Sequence, residues 1–205
     1  TGSHNPSEYN GFKMVLNKHS FFAKDIQSLQ KLLDENKLEL TMGEIHNQDI
    51  TKEYLERNLL NINLNRELKI AWDPGNGAMG KVIREIAEKL FNSKNIIINE
   101  KVDGNFPNHH PDPTVPENLA ALASTVLEKK ADVGIALDGD GDRVGLITNR
   151  GKFVDADRML MALVQSILPN YPGRTVVFDV KCTSKLGALV KRFGGSPIMH
   201  RSGHS

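Results

Sequence analysis

The chain has 205 residues, 39% of them hydrophobic and 25% charged, which is enough to bury a sizeable core and argues against a disordered or low-complexity protein. A net charge of +1 provides no overall field for nucleic acid or anionic lipid, and the lone Cys182 excludes an internal disulfide. No apolar run approaches the ~20 residues that span a bilayer, so a soluble, cytoplasmic protein is expected, with neither nucleic acid nor membrane as partner.

In chain order, a polar loop (Thr1 to Gly11) leads to a short strand, Phe12 to Leu16, and a helix around Ala23 to Asn36 with Ile26, Leu29 and Leu33 at helical spacing. One strand and one helix cannot close a core. A polar stretch, Thr41 to Asp49, reads as a linker before a helix around Thr51 to Asn63. The middle alternates: strand Leu68 to Trp72, helix Lys81 to Phe91, strand Asn95 to Asn99, helix Thr114 to Lys130. Thr114 and Glu117 fit a capping box at the start of that last helix, and Leu119, Leu122, Ala123, Val126 and Leu127 supply its apolar face. Strands Asp132 to Leu137 and Val144 to Thr148 follow, flanking a tight loop. From Gly151 the pattern restarts with a strand near Phe153, a helix Asp157 to Leu168, a strand Thr175 to Val180, a helix Ser184 to Phe193 and a strand ending at His200. The fold class is therefore α/β: successive three-layer domains with mixed sheets, one complete central domain flanked by parts of two others. Starting on Thr1 and stopping just after a strand, the sequence reads as a piece of a longer chain.

The strongest chemical signal is Asp138-Gly139-Asp140-Gly141-Asp142-Arg143, between two apolar strands. Residues two apart in an extended loop point to one side, so three carboxylates converge and their mutual repulsion calls for a cation. An EF-hand fails, because Arg143 stands where position 6 needs glycine and Asn149 where position 12 needs glutamate. Hard oxygen ligands in small number suit Mg²⁺, and Arg143 reads as a phosphate partner beside it.

A second polar cluster, Thr1-Gly2-Ser3-His4-Asn5-Pro6 with Lys13 downstream, brings a hydroxyl, an imidazole and an ammonium close together in sequence. Such a set suits nucleophilic or acid–base work, although Gly-Ser-His also occurs as an expression-tag remnant and no Gly-x-Ser-x-Gly elbow is present. A competing signal is Gly75-Asn76-Gly77-Ala78-Met79-Gly80, a Gly-x-Gly-x-x-Gly match with Glu100 about 20 residues on. Read alone it suggests an NAD-binding oxidoreductase, but Asp73-Pro74 displaces the tight turn that the fingerprint needs. His109, His110 and Asp112 lie in a proline-rich loop where neighbouring side chains diverge, which favours a structural loop over a metal site. Cys182 reads as a packed thiol and Trp72 as core.

Taken together, the loops resemble the α-D-phosphohexomutase superfamily, and most closely its bacterial phosphomannomutase/phosphoglucomutase members. The resemblance rests on Thr1 to Lys13, on Phe106-Pro107-Asn108-His109-His110-Pro111-Asp112-Pro113, on Asp138 to Arg143, on Phe178-Asp179-Val180-Lys181-Cys182-Thr183 and on Ser202-Gly203-His204-Ser205. It implies a four-domain enzyme with a central cleft, of which residues 1–48 would be the end of domain I, 49–151 domain II and 152–205 the start of domain III. By the same resemblance Ser3 carries the phosphoryl group, and Ser3, Asp138, Asp140 and Asp142 bind Mg²⁺. His4 and Lys13 match catalytic positions near the serine, Lys13 being the candidate for proton transfer, while Lys181 and His204 match positions that contact the sugar or its phosphate. The implied reaction interconverts hexose 6-phosphate and hexose 1-phosphate, of mannose, glucose or both, through a glucose or mannose 1,6-bisphosphate, with no oligomer required. Ser202 departs from the threonine common before Gly-His-Ser. With the outer domains missing, the piece alone is expected to be inactive, in effect a metal- or sugar-phosphate-binding module.

Overall fold

The computed structural model describes residues 8–9, 11–12, 14–35, 42–60, 62, 66–91 and 94–201. Near the N-terminus, β1 (Met14–Leu16) and β2 (His19–Phe21) form an antiparallel hairpin in which Leu16 pairs with His19. Asn17 and Lys18 take φ of 52° and 66°, the left-handed pair that matches the twist of two flanking strands. The single strand expected here is thus shorter and acquires a partner. α1 (Lys24–Asp34) starts just after Ala23, whose φ of 48° lies outside the helical region, and its stripe of Ile26, Leu29 and Leu33 is exposed. α2 (Thr51–Leu59) is opened by the Asp49 carboxylate, which accepts the Thr51 amide at 2.9 Å and its hydroxyl at 2.6 Å. It packs against α3 (Gly80–Phe91) and buries Leu55 completely.

Five strands form the central sheet: β3 (Ile70–Asp73), β4 (Ile96–Ile97), β5 (Val133–Leu137), β6 (Val144–Thr148) and β7 (Phe153–Val154), in the order β4-β3-β5-β6-β7. β3 runs parallel to both β4 and β5, whereas β6 turns back antiparallel to β5 and β7 antiparallel to β6. Strand alternation divides the side chains between two helical layers. Ile70, Trp72, Val133, Ile135 and Leu137 meet Ile83 and Ile86 of α3 on one face. Ala71, Ala136 and Ile147 meet Leu122 and Val126 of α4 (Ala120–Lys129) on the other. A Cβ at Gly134 would lie 2.8 Å from a Val126 methyl, so that helix sits almost on the strand backbone. Each buried aliphatic side chain contributes about 1.5–3 kcal/mol, which makes this two-faced packing the main source of the unit's stability. Trp72 is core as expected, its indole N–H donating to Asn95 Oδ1 at 2.8 Å.

The expected capping box at Thr114 does not form. The Asp112 carboxylate takes both the Thr114 amide (3.0 Å) and the Thr114 hydroxyl (2.7 Å), and a 3₁₀ turn over Pro116–Leu119 precedes the α-helix, which begins at Ala120. A closer acceptor two residues upstream outcompetes the cap.

A second α/β unit follows, made of α5 (Ala156–Ile167), β8 (Thr175–Asp179), α6 (Lys185–Arg192) and β9 (Ser196–His200), with β8 and β9 parallel. Val164, Leu168, Phe178, Leu186 and Val190 form its core, against which Cys182 packs as a partly buried free thiol. Among the described residues no helix is long and apolar enough to cross a membrane.

Candidate metal centre

The acidic motif is the hairpin loop between β5 and β6, at the C-terminal end of β5, where open α/β sheets place their ligands. Gly141, with φ of 78°, makes the turn, and its amide donates to the Asp138 carbonyl at 3.1 Å. One carboxylate oxygen from each of Asp138, Asp140 and Asp142 lies within 4.8 Å of the others, with Asp138 buried and the other two exposed. Such an oxygen-only set with two members open to solvent fits a hard divalent cation that keeps water or phosphate oxygens in its remaining positions.

Arg143 braces the loop. Its Nε donates to Asp138 Oδ2 at 2.9 Å and its amide to Asp138 Oδ1 at 3.0 Å, while its guanidinium also reaches Asp142 at 3.8 Å and Asp112 at 3.5 Å. Both bonds hold the Asp138 carboxylate in place within the triad.

Against this hairpin lies the turn after β3. The Ala78 amide donates to the Gly139 carbonyl at 2.8 Å, and a Cβ at Gly77 would stand 2.5 Å from that same oxygen. A Cβ at Gly80 would overlap the Glu100 carbonyl, and one at Gly141 would overlap the Met79 side chain. Two of the three glycines that mimic a dinucleotide fingerprint, Gly77 and Gly80, are therefore packed against the protein's own backbone, and the turn supports the acidic loop.

Beneath it lies a polar network. Asn76 Nδ2 donates to the Lys101 carbonyl at 2.7 Å, Asn108 Nδ2 donates to Asn76 Oδ1 at 2.8 Å, and His109 Nε2 meets Asp73 Oδ2 at 2.9 Å. The hydrogen bond to Asp73 raises the His109 pKa above its ordinary value, against the lowering effect of burial. His110 points outward and Asp112 turns to Arg143, so the His109-His110-Asp112 run does diverge and is structural.

Residues 49–151 match the family described as phosphoglucomutase/phosphomannomutase, alpha/beta/alpha domain II. The chain belongs to the phosphoglucomutase/phosphomannomutase family. It is 45% identical over 205 residues to a phosphomannomutase/phosphoglucomutase of Pseudomonas putida, covering 100% of this chain and 44% of that protein. To a phosphoglucomutase of Neisseria meningitidis serogroup B it is 40% identical over 207 aligned residues, covering 100% and 45%. A crystal structure of a phosphoglucomutase/phosphomannomutase family protein from Burkholderia thailandensis aligns with a TM-score of 0.91 at 40% identity, covering 100% of this chain and 44% of that one. The chain thus spans a little under half the length of these relatives.

Among the other residues singled out in the sequence, Asp138, Asp140, Asp142 and Arg143 are brought together in one loop. Lys181 sits in the second α/β unit just past β8, its amide donating to Asp179 Oδ1 at 2.7 Å, and it lines a cavity of about 340 Å³ with Asp155, Asp157, Arg158 and Cys182. Ser3, His4, Lys13 and His204 lie outside the described residues. Sequence reasoning missed Asp73, because the strand was expected to end at Trp72. The available signal was a carboxylate continuing an apolar strand directly before Pro-Gly, a place where burial demands a partner.

Proposed function

We propose that the chain is the phosphoserine-bearing and metal-binding part of a phosphohexomutase that interconverts hexose 6-phosphate and hexose 1-phosphate, with mannose, glucose or both as the sugar. The observation that carries this reading is the converging carboxylate triad of Asp138, Asp140 and Asp142, in a chain 45% identical to a phosphomannomutase/phosphoglucomutase. On this reading residues 1–48 end a first domain, 49–151 form a second and 152–205 begin a third.

Ser3 Oγ would carry the phosphoryl group, and Ser3 with the three aspartates would hold Mg²⁺. When bound, the cation neutralises charge on the phosphoryl oxygens as they approach the transition state. Transfer breaks the P–O bond to Ser3 and forms one to a hexose-phosphate hydroxyl, whose proton passes by way of Lys13 to the departing Ser3 Oγ; His4 orients the serine. The resulting 1,6-bisphosphate turns over in the cleft and returns its other phosphate to Ser3, whose proton Lys13 passes to the sugar oxygen that is released. Arg143, Lys181 and His204 would bind phosphate and sugar, and a bidentate guanidinium suits such oxygens. The lone Cys182 and this metabolic chemistry fit the cytoplasm. Residues 1–205 alone would bind metal and sugar phosphate without turnover, since a water-excluding cleft needs walls from more than these elements.

The test is intact mass spectrometry with peptide mapping on the full-length protein, before and after glucose 1,6-bisphosphate. A phosphate on Ser3, absent from Ser3→Ala, is expected. An unmodified Ser3 in a protein that interconverts no hexose phosphates would sink the reading.

A further inference from the structure

The proposed chemistry makes no use of Asp73, yet its side chain is fully buried at the C-terminal end of β3. A carboxylate placed there costs several kcal/mol unless hydrogen bonds and a counter-charge satisfy it. Oδ1 accepts the Gly75 amide at 2.9 Å and Asn99 Nδ2 at 3.0 Å, and Oδ2 faces His109 Nε2 at 2.9 Å. The other ring nitrogen of His109, Nδ1, faces the His110 carbonyl at 2.9 Å. A carboxylate and a carbonyl are both acceptors, so this geometry favours a ring that donates from both nitrogens, the imidazolium.

From β3 the ring meets the charge of Asp73, whereas from the Gly75 turn it meets uncharged backbone, near the Leu137 carbonyl and Pro111. On its own loop His110 is exposed and Asp112 pairs with Arg143. The ion pair and the acidic loop are therefore two ends of one short turn. Asp73 fixes the Gly75 amide at one end, and Ala78 donates to Gly139 at the other. Leu137, which the Gly75 turn also approaches, directly precedes Asp138.

We propose that the Asp73–His109 ion pair is a positioning device for the acidic loop: it holds the Gly75–Ala78 turn against Gly139 so that the carboxylates of Asp138, Asp140 and Asp142 converge. Its link to cation binding rests on the reading of that loop as the metal site. His109 acts through the turn, as a positioning residue.

The test begins with metal-free intact protein, following the backbone amides of Gly139 and Gly141 and the His109 ring nitrogens by NMR from about pH 6 to 9. The amides are expected to shift with the same midpoint as the ring, a readout that needs no variant to fold. In His109→Gln, which keeps a donor but not the charge, the amide shifts should be flat with pH. Mn²⁺ binding, read from the EPR signal of free Mn²⁺, should weaken about 10-fold or more, the usual cost of losing an outer support of a metal site. Asp73→Asn should do the same, and the double variant should be no weaker than either single one. Amides that ignore the ring titration, or two folded variants that bind Mn²⁺ as the parent does, would overturn the proposal. If the parent protein binds no Mn²⁺ while its Gly139 amide still follows the ring, the cation reading fails and the positioning role stands.

Discussion

β3 sends Ile70 and Trp72 to α3 and Ala71 to α4, whereas β8 sends Val176 and Phe178 to its helices and leaves Val177 59% exposed. Its neighbour across the pair, Ile198, is 48% exposed on the same face. Both units use strands with apolar residues at successive positions, the signature of a sheet meant to be covered twice. The central one finds both covers within the chain, and the second finds only one among the described residues. That difference locates the site: a loop carrying mutually repelling carboxylates needs a support that does not yield, and the doubly covered sheet supplies it.

The comparison can be broken hardest at the contact between the two loops of the central unit. Gly77→Ala would bring a methyl 2.5 Å from the Gly139 carbonyl oxygen and 2.9 Å from its Cα, and neither backbone atom can swing aside like a side chain. A loss of about 3 kcal/mol or more is expected in urea unfolding, with Mn²⁺ binding reduced in whatever protein folds. Next in size is Leu122→Ala. Leu122 is fully buried between α4 and the sheet, so its truncation should cost about 2–5 kcal/mol with the m-value unchanged. A cost under 1 kcal/mol would mean that the α4 face collapses freely and that the central unit is no better packed than the second.

Much of this was legible in the sequence because it is local. Val144 to Thr148 was expected as a strand with the observed bounds, and the loop from Asp138 to Arg143 could be placed between two strands from the apolar runs that flank it. What escaped depends on partners far along the chain. Asp73 and His109 are 36 residues apart, and nothing near either predicts that one neutralises the other. Thr114 and Glu117 matched a capping pattern whose outcome was decided by Asp112, a competitor just outside the pattern. The β1–β2 hairpin escaped because Lys18, an uncommon residue at φ of 66°, occupies a turn position usually marked by glycine. For the serine loop, sequence and resemblance remain the whole basis, since Ser3, His4 and Lys13 lie outside the described residues.

A smaller effect sharpens the picture of the central unit through pH. The pKa of His109 is raised in the folded protein by its bond to Asp73, above an ordinary value of 6.5. A group whose folded pKa is raised contributes its full stabilisation below the unfolded value and loses it as pH climbs through the folded one. Unfolding free energy should therefore fall with rising pH over a window that opens near pH 6.5, and His109→Gln should remove that part of the slope. An identical slope in the variant would assign the pH dependence to other groups.

The smallest expected effect tests the uncovered face directly. Val177→Thr replaces a methyl by a hydroxyl at a position 59% exposed, keeping the β-branched shape that suits a strand. In residues 1–205 the change should stay within about 0.5 kcal/mol, as for surface positions generally. The same substitution at a two-sided strand position would leave a hydroxyl desolvated and cost about 1–3 kcal/mol. A measured loss in that higher range would mean that something covers Val177 and Ile198 in solution, and a midpoint that rises with protein concentration would identify it as a second copy of the chain. A loss that is small at every concentration would confirm that β8 and β9 stand with one face in water, in contrast to the doubly covered central sheet.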